Sequence, residues 1–276
     1  MPETCFSRSW PPEHSPLAHL LIVHGYAEHS GRYEALAREL NDAGLHVHAC
    51  DLHGHGQSPG KRGQIKEFAA LVADLRRFVD RTRTMVGGKP LFILGHSMGG
   101  LLTAHYLAGE PTGIRGAIFS SPLMAIPEHV SPRLLRMSRI LSRVAPGLPV
   151  DRIDSRGIAK DPEVVRAYDT DPLVCHGPIR AHTGAELAHA IQALPELLPK
   201  ITTPFLVFHG TADSIAPPSG SRLLFERAGS KDKECFYVED GFHELLNDTD
   251  HEEVVQKILA WIDRQLTAER TFPTAR

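Results

Sequence analysis

Six short apolar runs, with helical patterns between most of them, constrain this chain more than any other feature. They are "LAHLLIVHG" (17 to 25), "LHVHACDLHG" (45 to 54), "KPLFILGHS" (89 to 97), "RGAIFSSP" (115 to 122), "PFLVFHG" (204 to 210) and "ECFYVEDG" (234 to 241). Short runs of this kind, rich in β-branched and aromatic residues, read as strands. The intervening "RYEALARELNDAG" (32 to 44) and "FAALVADLRRFVDRTRT" (68 to 84) carry apolar residues at helical spacing. Strand and helix in alternation predict βα units, hence an α/β fold with a mainly parallel central sheet flanked by helices.

The rhythm breaks once, between the run ending at Pro122 and the one beginning at Pro204. An insertion over 122–200 is expected there, dividing a core of 1–121 and 201–276. Within it "SPRLLRMSRILSRVAPG" reads as a helix over 132–145, bounded by Ser131-Pro132 and Pro146-Gly147. At 100° per residue Leu134, Met137, Ile140, Leu141 and Val144 share one face, opposite Arg136, Arg139 and Arg143.

With 276 residues and 42% hydrophobic content the chain can fill a sizeable core. A net charge of −3 lacks the basic excess of a nucleic-acid-binding protein, so no nucleic acid partner is expected. Cys5, Cys50, Cys175 and Cys235 show no CxxC spacing, and the N-terminal stretch carries no signal-peptide pattern, which predicts free thiols and a cytoplasmic address. No window approaches a bilayer-spanning apolar length. Asp51, His53 and His55 alternate near a strand end, but neither a helical H-E-x-x-H nor a Cys pair accompanies them. No metal is expected, and Asp51 is expected to hold the Gly54–Ser58 turn.

Gly95-His96-Ser97-Met98-Gly99 fits G-x-S-x-G, after an apolar strand and before a helical pattern. Small neighbours let the backbone turn sharply there, holding Ser97 in a strained conformation as a nucleophile. A serine hydroxyl needs a base, and in the chain order Ser, Asp, His the acid follows a late strand. Asp213 follows "FLVFHGTA", and His243 lies in "EDGFHELL". Both fall at C-terminal strand ends, where a parallel sheet gathers its catalytic groups. Other histidines, His19 and His105 among them, lack that setting, and Asp240 stands so close before His243 that it suits a turn. Two backbone donors for an oxyanion are expected at Met98 N–H and Tyr26 N–H.

Taken together, "HGYAEHSGRY", "DLHGHGQSPGKRG", "GHSMGG", "SSPL", "AYDTDPLV", "PFLVFHGTAD" and "GFHELLND" resemble the monoacylglycerol lipase and lysophospholipase branch of the α/β-hydrolase superfamily, from about Trp10 to Trp261. The resemblance implies Ser97, Asp213 and His243 as the triad, with Tyr26 and Met98 as oxyanion donors. It implies a serine hydrolase that frees fatty acid and glycerol from monoacylglycerols or related lipid esters, without a cofactor. It places Glu28 and Arg32 near the glycerol end, although the residues alone read equally as a solvated loop charge or a structural ion pair. Cys175 falls where cap cysteines of some relatives lie, bordering substrate. The insertion corresponds to a helical cap over an acyl channel, with peripheral membrane contact through helix 132–145; read alone, that helix packs on the core equally well. Two departures stand out. The chain looks as if it begins at the second strand of the usual sheet, leaving a first strand absent or upstream. Leu246 also stands where some relatives carry a histidine, which leaves short-chain esters and lysophospholipids open as substrates, with carboxylesterase and thioesterase chemistry on the same scaffold.

Overall fold

The computed structural model describes residues 5–128 and 130–268. The chain runs through β1 (Ser7–Trp10), β2 (Ala18–Val23), α1 (Glu34–Asp42), β3 (Leu45–Cys50), α2 (Phe68–Met85), β4 (Leu91–His96), α3 (Met98–Leu107) and β5 (Gly116–Ser120). It then forms α4 (Pro132–Val144), β6 (Pro149–Asp151), α5 (Pro162–Thr170), β7 (Ile179–Arg180) and α6 (Ala181–Leu197) before returning through β8 (Phe205–Gly210), α7 (Ser219–Arg227), β9 (Lys233–Val238) and α8 (His251–Ala268). The six apolar runs coincide with β2 to β5, β8 and β9.

Seven strands among the described residues form one sheet in the order β1-β3-β2-β4-β5-β8-β9, all parallel except β1. β1 corrects the expectation that the strand at 18–23 comes first. It pairs antiparallel with β3, Ser9 opposite His48, and its alternation of exposed and half-buried residues marks an edge strand. β2, β4 and β8 are buried on both faces, which is why they read as unbroken apolar runs.

Side chains of β2 divide between two cores. Leu21 and Val23 join Leu71, Leu75 and Phe78 of α2 and Leu101 of α3. Leu20 and Ile22 join Leu36 and Leu40 of α1 and Val254, Ile258 and Trp261 of α8. Leu246 packs in this second core. Leu187, Ile191 and Leu194 of α6 belong to the first core.

In α4 the apolar face lies differently from the helical-wheel expectation. Leu135, Ser138 and Leu141 line an internal cavity, whereas Met137, Ile140 and Val144 are 51%, 62% and 73% exposed. The side chains of Leu134 and Arg139 lie outside the described residues. The apolar stripe is therefore wider than the inward face and continues onto the outside of the helix.

Candidate active site

The strand order places the chemistry. β3 lies on one side of β2 and β4 on the other, so the connections leave the C-terminal ends of β2 and β4 in opposite directions and open a crevice between them. Gly25 and Tyr26 follow β2 at this crevice, and Ser97 follows β4. Ser97 adopts φ 52°, ψ −119°, a conformation that costs a non-glycine residue on the order of 1–3 kcal/mol. Surrounding bonds hold it there: Ser97 N–H donates to the Ser120 carbonyl at 3.0 Å, and the Ser97 carbonyl accepts from the N–H groups of Gly100 at 2.9 Å and Leu123 at 3.0 Å. The flanking glycines have a steric reason. A Cβ at Gly95 would meet the Gly99 carbonyl oxygen and Thr103 Oγ1 at 2.5 Å, and one at Gly99 would strike the backbone of Val23 and His24.

Asp213 sits in the loop after β8 with every carboxylate lone pair directed. Its Oδ1 accepts from Ile215 N–H at 2.8 Å and Ala216 N–H at 2.9 Å. Its Oδ2 faces His243 Nδ1 at 2.6 Å and His209 Nε2 at 3.0 Å. Burial works against its charge, but the two imidazoles and their hydrogen bonds hold its pKa well below the usual carboxylate range. For His243, burial alone would lower the pKa; the Asp213 charge and hydrogen bond, aided by Glu244 and Glu28, outweigh it and raise the imidazole above its ordinary value. Asp213 fixes Nδ1 as the protonated nitrogen and leaves Nε2 as the acceptor. The His243 ring lies 4.7 Å from that of His96, the residue preceding Ser97. Ser97, Asp213 and His243 are 7%, 8% and 5% exposed. Asp240, by contrast, is an exposed turn residue with φ 53°.

The loop after β2 runs against the serine: a Cβ on Gly25 would stand 3.1 Å from Ser97 Cβ. His24 braces this loop, its Nε2 accepting from Leu52 N–H at 2.9 Å and its Nδ1 donating to the Gly25 carbonyl at 2.7 Å. Glu28 Oε1 accepts from Gly25 N–H at 2.6 Å and from the Tyr33 hydroxyl at 2.8 Å. Arg32 then bridges two carboxylates, reaching Glu28 Oε2 at 3.4 Å and both Glu244 oxygens at 2.5 and 2.8 Å. All three side chains are less than one-tenth exposed. Burial opposes the charge of Glu28, yet Arg32 and the Gly25 N–H bring its pKa down to about 2. Glu28 and Arg32 thus form a buried ion network directly behind the Gly25–Tyr26 loop. Asp51 ties the neighbouring loops together, accepting from Ser30 N–H at 2.8 Å and Gln57 N–H at 2.7 Å.

A cavity of about 400 Å³ opens beside Ser97 and Tyr26, lined by Leu135 and Leu141 of α4, Leu187 and Ile191 of α6, and Ile153 and Ile215. A second hollow shares Tyr26 and Ile153 but is polar, with Arg152, Asp154, Ser155, Asp169 and His176 around it. Cys175 borders this hollow; it is half-buried, and its N–H donates to the Ala27 carbonyl at 2.7 Å.

Residues 14–250 match the family described as serine aminopeptidase, S33. A monoacylglycerol lipase of Mycolicibacterium smegmatis is 36% identical, covering 92% of this chain and 90% of that protein. The monoglyceride lipase of Homo sapiens is 35% identical over 96% of this chain and 89% of its own length. The crystal structure of Paleococcus ferrophilus monoacylglycerol lipase superposes with a TM-score of 0.83 at 32% identity, over 95% of this chain and 99% of that one. The chain belongs to the monoacylglycerol lipase branch of the α/β-hydrolase superfamily. As a member of that branch it is a carboxylic ester hydrolase.

Within this family frame, four residues near the site escaped the sequence reading: His24, His96, His209 and Glu244. His209 stands four residues before Asp213, and Glu244 directly follows His243, so the signal was proximity to residues already chosen. The partners of His209, His24, Glu244 and His96 are Ser221, Leu52, Arg32 and Ser120, which only the folded chain brings to them.

Proposed function

We propose that this hydrolase cleaves monoacylglycerols to fatty acid and glycerol through an acyl-enzyme on Ser97. The observation that carries the reading is an apolar cavity that opens on Ser97, with the ring of His243, hydrogen-bonded to Asp213, 4.7 Å from the ring of the residue before that serine, His96. The acyl chain occupies the cavity. Ser97 Oγ attacks the ester carbonyl as His243 Nε2 takes its proton, Asp213 holds the imidazole tautomer, and the N–H groups of Met98 and Tyr26 receive the oxyanion. His243 then protonates the departing glycerol, and water, deprotonated by the same nitrogen, releases the fatty acid. The polar hollow beside Tyr26, lined by Arg152, Asp154, Ser155 and Asp169, supplies hydrogen-bonding groups that suit an uncharged glycerol. Glu28 and Arg32 support this reading as positioning residues for the Gly25–Tyr26 loop, and Cys175 as part of the hollow that borders the glycerol.

The test is glycerol release from a long-chain monoacylglycerol measured beside turnover of a long-chain lysophospholipid and a short p-nitrophenyl ester. Preference for the monoacylglycerol by at least about tenfold in kcat/KM is expected; preference for either competitor overturns the substrate assignment.

Because His243 must be neutral to accept a proton and its pKa is raised, the acid limb of the kcat/KM profile has its midpoint above the ordinary imidazole value of about 6.5. A pH profile on a soluble ester checks this, and a midpoint at or below that value contradicts it.

No helix among the described residues is long and apolar enough to cross a membrane. Met137, Ile140 and Val144, on the outer side of the helix whose inner side lines the cavity, support peripheral contact of α4 with a lipid surface. Replacing Met137 and Ile140 together by Ser lowers turnover of vesicle-borne monoacylglycerol by about tenfold or more. Turnover of a soluble short ester stays unchanged, and equal loss on both substrates contradicts the contact.

A further inference from the structure

A second chemical grouping stands at the other end of β2. His19 pairs in register with His46 across the β2–β3 ladder, and His48 lies two residues further along β3, opposite Ser9 of β1. The two-residue strand period puts His46 and His48 on one face. His19 Nδ1 is 3.0 Å from His48 Nε2, and Ser9 Oγ bridges His48 Nδ1 at 3.2 Å and His46 Nε2 at 2.8 Å. One nitrogen from each imidazole can be chosen so that all three lie within 4.8 Å of one another. His19 and His48 are only 4% and 3% exposed, whereas His46 is half-buried and reaches solvent.

An edge-proximal row of three imidazoles and a serine replaces the aliphatic side chains that fill the neighbouring positions of β2. Burial lowers the pKa of His19 to about 4 and of His48 to about 3, with neighbouring imidazoles and, for His19, the Lys89 ammonium adding to the effect. Burial lowers that of His46 as well. Neutral imidazole is the form that ligates metal, and the three rings converge closely enough to share one ion. A tetrahedral zinc ion with nitrogen ligands at 2.0–2.1 Å holds them about 3.3 Å apart. The His19–His48 pair, at 3.0 Å, is already near that spacing, and a nitrogen of the half-buried His46 lies within 4.8 Å of both on the third side.

We propose that His19, His46 and His48 form a binding site for a divalent transition cation of the zinc type, with three imidazole ligands and water in the fourth position. Ser9 is the outer partner that orients the His48 ring. Such an ion ties β2 to β3, and through Ser9 to β1, bracing the edge of the sheet. It takes no part in ester cleavage: His19 is the second residue of β2 and Gly25 lies two residues past its end, six steps along extended chain or about 20 Å away. Nearby Lys89, bonded to Ser15 Oγ at 3.0 Å and to the Pro16 carbonyl, disfavours a cation electrostatically, so modest affinity is expected.

The test is calorimetric titration of the whole chain with Zn²⁺, repeated with Co²⁺ to read the visible spectrum of the bound ion. One equivalent is expected to bind with nitrogen and oxygen ligation. At a hundredfold excess over Kd it raises Tm by about 5 °C and leaves kcat on a soluble ester unchanged. His46→Gln, at a half-buried position that tolerates a polar side chain, weakens binding by more than about tenfold with unchanged kcat. A His46→Gln/His19→Gln variant abolishes binding and the Tm gain. Absence of binding overturns the proposal, as does equal affinity in His46→Gln, thiolate bands in the Co²⁺ spectrum, or inhibition that persists undiminished in His46→Gln.

Discussion

Asp213→Asn lowers kcat by about 10⁴-fold while the fold is retained. The size of the effect follows from the bonds at this carboxylate. Two backbone N–H groups, from Ile215 and Ala216, point at Oδ1 and hold the amide oxygen of an asparagine there. The amide nitrogen then occupies the place of Oδ2, facing His243 Nδ1 and His209 Nε2. A donor replaces an acceptor. His209 keeps its bond to the Ala216 carbonyl at 2.9 Å. His243 has no such alternative and turns to the other tautomer, with Nδ1 accepting and Nε2 carrying a proton toward Ser97. That imidazole cannot take the serine proton. Turnover of a soluble ester, with thermal unfolding as the control for folding, checks the prediction; a loss below about tenfold removes Asp213 from the mechanism.

The second large effect is on stability. Arg32→Met destabilises the protein by about 3–5 kcal/mol, because Glu28 and Glu244 stay buried without their shared cation. Two signs accompany the loss. Glu28 no longer fixes the Gly25–Tyr26 loop with the same geometry, so kcat falls as well. In the variant burial without the Arg32 charge raises the Glu28 carboxyl above its unfolded value, so stability is retained below the ordinary glutamate pKa and lost as pH rises through the folded one. The gap to wild type therefore narrows as pH falls from 8 toward 5. Urea unfolding at several pH values measures this, and a gap that is constant or widens in acid contradicts the buried network.

What the sequence made legible follows from period and position. Strands buried on both faces announce themselves as apolar runs, so β2, β4 and β8 were plain, and a G-x-S-x-G between strand and helix located the turn at Ser97. β1 was not legible. "SRSW" is four residues long with two serines, and its stability comes from pairing with β3 and from Ser9 meeting His46 and His48. The outward apolar residues of α4 were visible as a stripe, but its rotation depends on how α4 packs over the cavity. The Glu28–Arg32–Glu244 network joins residues 212 positions apart, and the histidine cluster depends on the register of β2 against β3. Neither is written in local spacing. Leu246 shows the converse: it stands beside the site in sequence and in the α8 core in space.

The most direct test of the account is rapid quenching of the wild-type protein during turnover of a long-chain monoacylglycerol, followed by mass analysis of its peptides. The account predicts an acyl group, of the mass of the substrate's fatty acid, on the peptide containing Ser97, formed together with a burst of glycerol and absent from Ser97→Ala. Continued glycerol release by Ser97→Ala, or turnover without any acylated Ser97 peptide, would contradict it.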